Sequence, residues 1–160
     1  MEIYWIDSNV FIEAQAALFP FAVIPNFWTH LDKKFAEGTV RSSCMVYREL
    51  VHYCDDLSNW IKARKQSGLC IPITPDVEDE LKKVAAYVAA TYDVPNTNDF
   101  LSGADGWVIA HAMATKGTVV SQESKNYPAG KKARIPDICA HLGVKCIKVM
   151  DMLKQQKAVL

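Results

Sequence analysis

Residues 1–14, MEIYWIDSNVFIEA, carry the reading on which the fold turns. The apolar run Ile3–Ile6, with Met1 ahead of it, predicts a buried strand over Glu2–Asp7. That run stops abruptly on Asp7-Ser8-Asn9, and an apolar helix is expected from Ser8 to about Phe19, capped by Asp7 or Ser8. A buried strand that ends on a carboxylate needs a reason. The rest of the chain has to supply it.

Outward from this unit, glycines and prolines mark a repeated alternation. Pro25 suits the first turn of a helix over PNFWTHLDKKFAEG, which Gly38 closes. TVRSS reads as a short second strand, with Ser42 or Ser43 opening a helix through Cys54. DDLSNWIKARKQSG reads as another helix, and LCIPIT as a short extended piece. Thr74-Pro75 begins a helix whose first turns carry Asp76, Glu78, Asp79 and Glu80, as the helix dipole favours. A further helix covers about Ala104–Lys116, followed by the strand TVVSQ, a basic loop, the short helix PDICAHLG, a last strand KCIKVM and a terminal helix. Strands alternating with helices predict an α/β fold: three layers, α/β/α, around a central parallel sheet of four to five strands. In such sheets ligands bind beyond the carboxyl ends of the strands, at the point where strand order reverses.

The totals fit one domain over residues 1–160, long enough to bury roughly 70% of its unfolded surface. Eighteen basic residues balance eighteen acidic ones, so a nucleic-acid or lipid surface can only be local. The five cysteines form no C-x-x-C pair and have no zinc-site spacing with His52 or His141; they read as free thiols in a reducing cytoplasm. No apolar run approaches the length of a membrane span, and the N-terminus lacks a basic leader pattern, so a cytoplasmic protein is expected.

Four carboxylates fall where the sheet's ligand edge is expected. Asp7 ends the first strand, Glu123 follows TVVSQ, and Asp105 begins the helix leading into that strand. Glu49 lies at the edge of the apolar stripe Val46, Leu50, Tyr53 and Cys54, with no Lys or Arg at the neighbouring helical positions. Each has an ordinary alternative: a cap for Asp7, a dipole partner for Asp105, a surface acid for Glu49, a loop acid for Glu123. Together they favour a divalent cation, because unpaired carboxylates in one cleft repel one another and oxygen-only ligands suit Mg²⁺ or Mn²⁺. The chemistry such a site performs is hydrolysis of a phosphodiester.

IDSNVFIEA, Glu49-Leu50, ADGWVIAHAMA and VVSQES stand in the order seen in the PIN domain, the nuclease fold of VapC-type toxins. The chain most resembles a branch of small PIN-like proteins of the DUF4411 type, catalogued as a domain of unknown function, whose tail is similar to KKARIPDICAHLGVKCIKVMDML. The resemblance implies four acids, Asp7, Glu49, Asp105 and Glu123, around one or two Mg²⁺ or Mn²⁺ ions, with Asn9 and Ser121 in support. Many relatives carry Asp where Glu123 stands, so Asp137 is either a helix cap or a substitute for it. The implied activity is an endoribonuclease that leaves 5′-phosphate and 3′-hydroxyl ends without a covalent intermediate, acting as the toxin of a toxin–antitoxin pair.

Lys116, Lys125, Lys131, Lys132 and Arg134 face a single acid, Glu123, in the stretch after the site; they either contact RNA phosphates, with Tyr127 stacking on a base, or are simply solvated. AALFPFAVIPNFW either forms an exposed groove for an antitoxin or a homodimer, or joins the core. The tryptophans and histidines read as packing or surface residues. A catalytically silent PIN-like binding module is the alternative function. A phosphatase or receiver of related topology would need acids that this chain lacks, having Asn9 two residues after Asp7.

Overall fold

The computed structural model describes residues 1–125 and 132–160. Tyr4, Trp5 and Ile6 are all buried, and a strand covered on both faces has to lie inside a parallel sheet. This strand, β1 (Tyr4–Ile6), pairs in parallel with β2 (Val40–Arg41) on one side and β3 (Thr118–Val120) on the other. β4 (Cys146–Ile147) pairs with β3, giving the order β2-β1-β3-β4. The fold is therefore the expected α/β arrangement, with four parallel strands and helices around them. The chain moves to one side of β1 to make β2 and then to the other side to make β3. Strand order reverses at β1, and the crevice between the ends of β1 and β3 is the switch point.

The register aligns the carboxyl ends of these strands. Ile6 lies opposite Val120, and Val120 opposite Ile147. One residue further on, the Asp7 amide donates to Val120 O (3.1 Å) and the Ser121 amide to Ile147 O (3.0 Å). Asp7, Ser121 and Lys148 thus leave the sheet side by side.

The helices follow the punctuation, with instructive differences. α1 (Ser8–Glu13) begins at Asp7 and relaxes into a π-helical turn, Ala14–Leu18, before Phe19-Pro20 ends it. α2 (Pro25–Glu37) starts on its proline and closes at Gly38, whose φ of +73° is readily reached without a side chain. α3 (Cys44–Leu50) is capped by the Ser43 hydroxyl and stops four residues short of Cys54. α4 (Asp56–Lys62) starts afresh from its own cap, Asp55, and is shorter than expected. Arg64 ends it by donating back to Trp60 O and forking onto Asp32. The LCIPIT segment is extended and bridges Ser43 through Ile71, but it adds no strand to the sheet.

α5 (Pro75–Thr91) and α7 (Asp105–Thr115) pack closely, and a β-carbon on Gly106 would meet Leu81 at 3.2 Å, so this glycine sets their approach. Between them lies α6 (Val94–Ser102), a helix that the sequence analysis does not predict. α8 (Ile135–Leu142) and α9 (Val149–Gln155) flank β4. Phe19, Phe27 and Trp28 are buried in an aromatic cluster with Phe21 and Trp60, while Ala16, Ala17, Ala22, Val23, Pro25 and Asn26 are exposed, so AALFPFAVIPNFW is divided between core and surface. Among the described residues, no helix is long and apolar enough to cross a membrane.

Candidate functional site

Asp7 serves as a cap and leaves an oxygen over. It is fully buried, and its Oδ1 accepts the Asn9 amide (2.6 Å) at the start of α1. Its Oδ2 is buried without a hydrogen-bond partner among the described residues. A buried carboxylate oxygen left unpaired costs free energy unless something absent from the chain completes it. Burial lifts the Asp7 carboxyl from the usual 3.8 to about 6; the nearby Ser121 hydroxyl and the Asn9 amide oppose the shift, while Glu123 and Glu49 add to it. The Asn9 side chain itself is exposed, so its contribution comes through the backbone.

Asp105 opens α7 across the crevice. Desolvation pushes its carboxyl up to about 8, with the charges of Asp7, Glu123 and Glu49 acting in the same direction and Lys132 against it. These effects identify the cluster: Asp7 and Asp105 both feel the charges of Glu49 and Glu123, and the four acids come from four separate segments.

Glu49 and Glu123 are held by other groups. Glu49 Oε2 accepts the Ser8 hydroxyl (2.6 Å) and its Oε1 accepts the Ala104 amide (2.7 Å). Ala104 immediately precedes α7, so Glu49 ties α3 to the segment carrying Asp105. Gly103 makes room for this contact, since a β-carbon there would lie 2.9 Å from Glu49 Oε1. Glu123 Oε2 accepts the Ile135 amide at the start of α8 (2.8 Å), while its own amide donates to Ser121 Oγ (3.2 Å). Lys148 donates to the carbonyls of Gln122 (2.6 Å) and Glu123, and Gln122 Oε1 accepts the Val149 amide (2.9 Å). Among the described residues, no three His, Cys, Asp or Glu side chains already form a coordination shell. The donor set nevertheless fits a hard divalent cation: all oxygen, anionic, partly desolvated, with one buried oxygen unsatisfied.

The other sequence candidates separate clearly. Asp137 stands in the first turn of α8, and its charge adds to burial in raising the Tyr92 phenol above its ordinary pKa. Lys132 lines the cavity beside Asp105 and Glu123, whereas Lys125 lines a neighbouring pocket with Ser121 and Lys148. Arg134 immediately precedes α8. Lys131 and Tyr127 lie outside the described residues. His111 is buried, stacks on Trp5 with centroids 4.3 Å apart and bonds Ser43 Oγ; burial drives its pKa down to about 4, and it is a packing residue. Sequence reasoning missed Ser8, Gly103 and Lys148. Ser8 could have been flagged by its place in Asp7-Ser8-Asn9, but the partners of Gly103 and Lys148 are too remote in sequence to leave a signal.

No curated protein matches the chain. Its fold is similar to that of a chain in the crystal structure of VapBC2 from Rickettsia felis bound to a DNA fragment from their promoter, at 13% identity and a TM-score of 0.55, covering 91% of this chain and 98% of that one. It is similar also to a chain of FitAcB from Neisseria gonorrhoeae, at 14% identity and a TM-score of 0.52, covering 91% and 96%. The fold is thus PIN-like. The model of the DUF4411 family, a domain of unknown function, matches residues 4–160, and the chain belongs to that family.

Proposed function

We propose that the chain is a metal-dependent endoribonuclease that hydrolyses RNA phosphodiesters as the toxin of a toxin–antitoxin pair. The observation that carries this reading is the Asp7 carboxylate: fully buried, unpartnered at Oδ2, and set among three other acids at the sheet's switch point. Mg²⁺ or Mn²⁺ held by Asp7, Glu49, Asp105 and Glu123 would activate the attacking water and offset charge on the leaving oxygen.

The chain's own residues prepare that chemistry. Asp7 is fixed by its cap bond, and Glu49 by Ser8 and Ala104, so these carboxylates need little reorganisation. Lys132, beside Asp105 and Glu123, supplies positive charge for a phosphate, and Lys125 extends it along the rim. No nucleophilic side chain is required.

The antitoxin follows from the fold's likeness to a chain of the VapBC2 assembly, and one surface suits such a partner. Exposed Ile12 and Tyr53, with Leu50 and Leu57, line a groove of about 490 Å³ with Asp55 and Asp56 beside them. An amphipathic segment with basic flanks matches it.

The test is cleavage of a mixed structured RNA by metal-stripped protein after addition of Mg²⁺ or Mn²⁺, beside Asp7→Asn. Loss of several kcal/mol of charge stabilisation predicts a fall of about a hundredfold or more in the variant. A wild-type protein that binds no Mn²⁺ and cuts nothing would leave the binding-module reading in its place.

A further inference from the structure

Beside the acid cluster lies a cavity of about 240 Å³ that the cluster alone does not explain. One wall carries Asp105, Glu123, Lys132 and Ala133; the other is α6, contributing Asn96, Asp99 and Phe100. Its volume falls below the ~300 Å³ at which pockets for larger ligands begin, which suits a single flat ring system.

The lining is unusual for a surface meant to hold a nucleic-acid backbone. Three of its side chains are carboxylates; Lys132 favours a phosphate on the wall it shares with Asp105 and Glu123, but the α6 wall with Asp99 has no such cation and suits another part of the nucleotide. Asn96 adds a further acceptor. Its amide nitrogen donates one hydrogen to Asp93 Oδ1 (2.9 Å), which fixes the orientation of the amide and leaves its oxygen, with one further N–H, to meet a ligand. Phe100, almost wholly buried, supplies an apolar wall. A cavity of this kind selects a flat, partly apolar group whose edge donates hydrogen bonds.

We propose that this cavity is a base-recognition subsite, in which Asp99 and Asn96 select an unpaired guanine next to the phosphate that is cut. The proposal rests on the nuclease reading for its position in the reaction, but the recognition can be tested apart from it. Guanine alone among the four bases presents two adjacent donors, N1–H and the 2-amino group, on its Watson–Crick edge. A carboxylate accepts both at once. Uracil offers one donor between two carbonyl oxygens, and the Asp99 carboxylate opposes those oxygens. Single strands expose these edges, whereas a duplex hides them. Asp99 is itself exposed and forms no part of the core, so the fold tolerates its replacement.

The experiment uses the full chain with Mn²⁺ and fluorescent single-stranded octamers: all-uridine, and uridine with one central guanosine, adenosine or cytidine. Affinity is read by anisotropy in the cold, and cleavage positions are mapped on the same oligomers. The single-guanosine octamer is expected to bind at least fivefold more tightly than the all-uridine one, with cuts adjacent to the guanosine. Asp99→Asn, which puts a donor beside the guanine donors, is expected to bring that ratio close to one while changing Mn²⁺ affinity less than threefold. Equal affinities in the wild type, or an unchanged ratio in the variant, would overturn the proposal. So would a tenfold loss of Mn²⁺ affinity in Asp99→Asn, which would make Asp99 a cation ligand. Guanosine preference without any cleavage would defeat the nuclease reading and leave the subsite standing. Cleavage without base preference would do the reverse.

Discussion

At the scale of the residue, Asp7 shows why a helix cap and a ligand need not be rival explanations. One oxygen satisfies the Asn9 amide and the other is left over, so a single carboxylate both starts α1 and presents charge to the crevice. The two roles separate by substitution. Asn at position 7 keeps an oxygen for the cap and removes the buried charge, whereas Ala removes both. In metal-free protein at pH 8, Asp7→Asn should therefore be at least as stable as the wild type, and Asp7→Ala less stable than Asp7→Asn by about 1 kcal/mol, the usual worth of a cap. Denaturant unfolding of the three proteins in chelator checks this. An Asn variant as damaged as the Ala variant would mean that the Asp7 charge is satisfied within the folded chain.

At the scale of the element, the loop after β3 is held from both sides: the Ile135 amide takes the Glu123 side chain, and Lys148 takes the Gln122 and Glu123 carbonyls. Lys148→Met keeps the apolar stem and removes the charged donor, at a cost of about 1.5–3 kcal/mol for charge-assisted bonds. Because Glu123 then loses its backbone anchor, Mn²⁺ affinity should fall about tenfold or more, as it does when outer supports of metal ligands are removed. Titration calorimetry beside denaturation separates the two effects, and lost stability with unchanged Mn²⁺ affinity would confine Lys148 to a structural role. This element also marks the limit of what the sequence discloses. Asp7, Glu49, Asp105 and Glu123 are legible because strand ends and helix faces follow from local patterning. Lys148 is not, because its partners lie 25 and 26 residues away and join it only through the β3–β4 register. α6 is hard to see in the sequence for a local reason: Asp93 caps it and Pro95 sits in its first turn, but NTND is rich in turn-forming residues, and the burial of Thr97 and Phe100 that holds the helix comes from the rest of the fold. Where α3 and α4 end depends in the same way on remote groups, such as the Asp32 carboxylate that draws Arg64 out of line.

At the scale of the whole molecule, parallel strand order brings four acids from distant parts of the chain to one edge, and folding must bear the repulsion that follows. Asp7 and Asp105 both have carboxyls raised in the folded state, to about 6 and about 8. A raised carboxyl pKa means that the folded chain binds more protons than the unfolded one between pH 4 and 8, so stability falls as pH rises through that window. The contribution is fully present below pH 4 and is lost above the folded values. For Asp7 alone, a rise from 3.8 to about 6 corresponds to about 3 kcal/mol, or roughly 10 °C in Tm for a chain of this size. In chelator, then, Tm should drop between pH 5 and pH 8.5. A divalent cation should reverse the trend, because it takes over from the protons: the Mn²⁺-induced rise in Tm should be small at pH 5 and largest at pH 8.5, with protons released on binding near neutral pH. Melting curves at both pH values, with and without Mn²⁺, measure all of this in one protein. A metal-free Tm that stayed level or rose toward pH 8.5 would show that the four carboxylates do not share one desolvated crevice, and the argument from their mutual repulsion to a cation would fail with it.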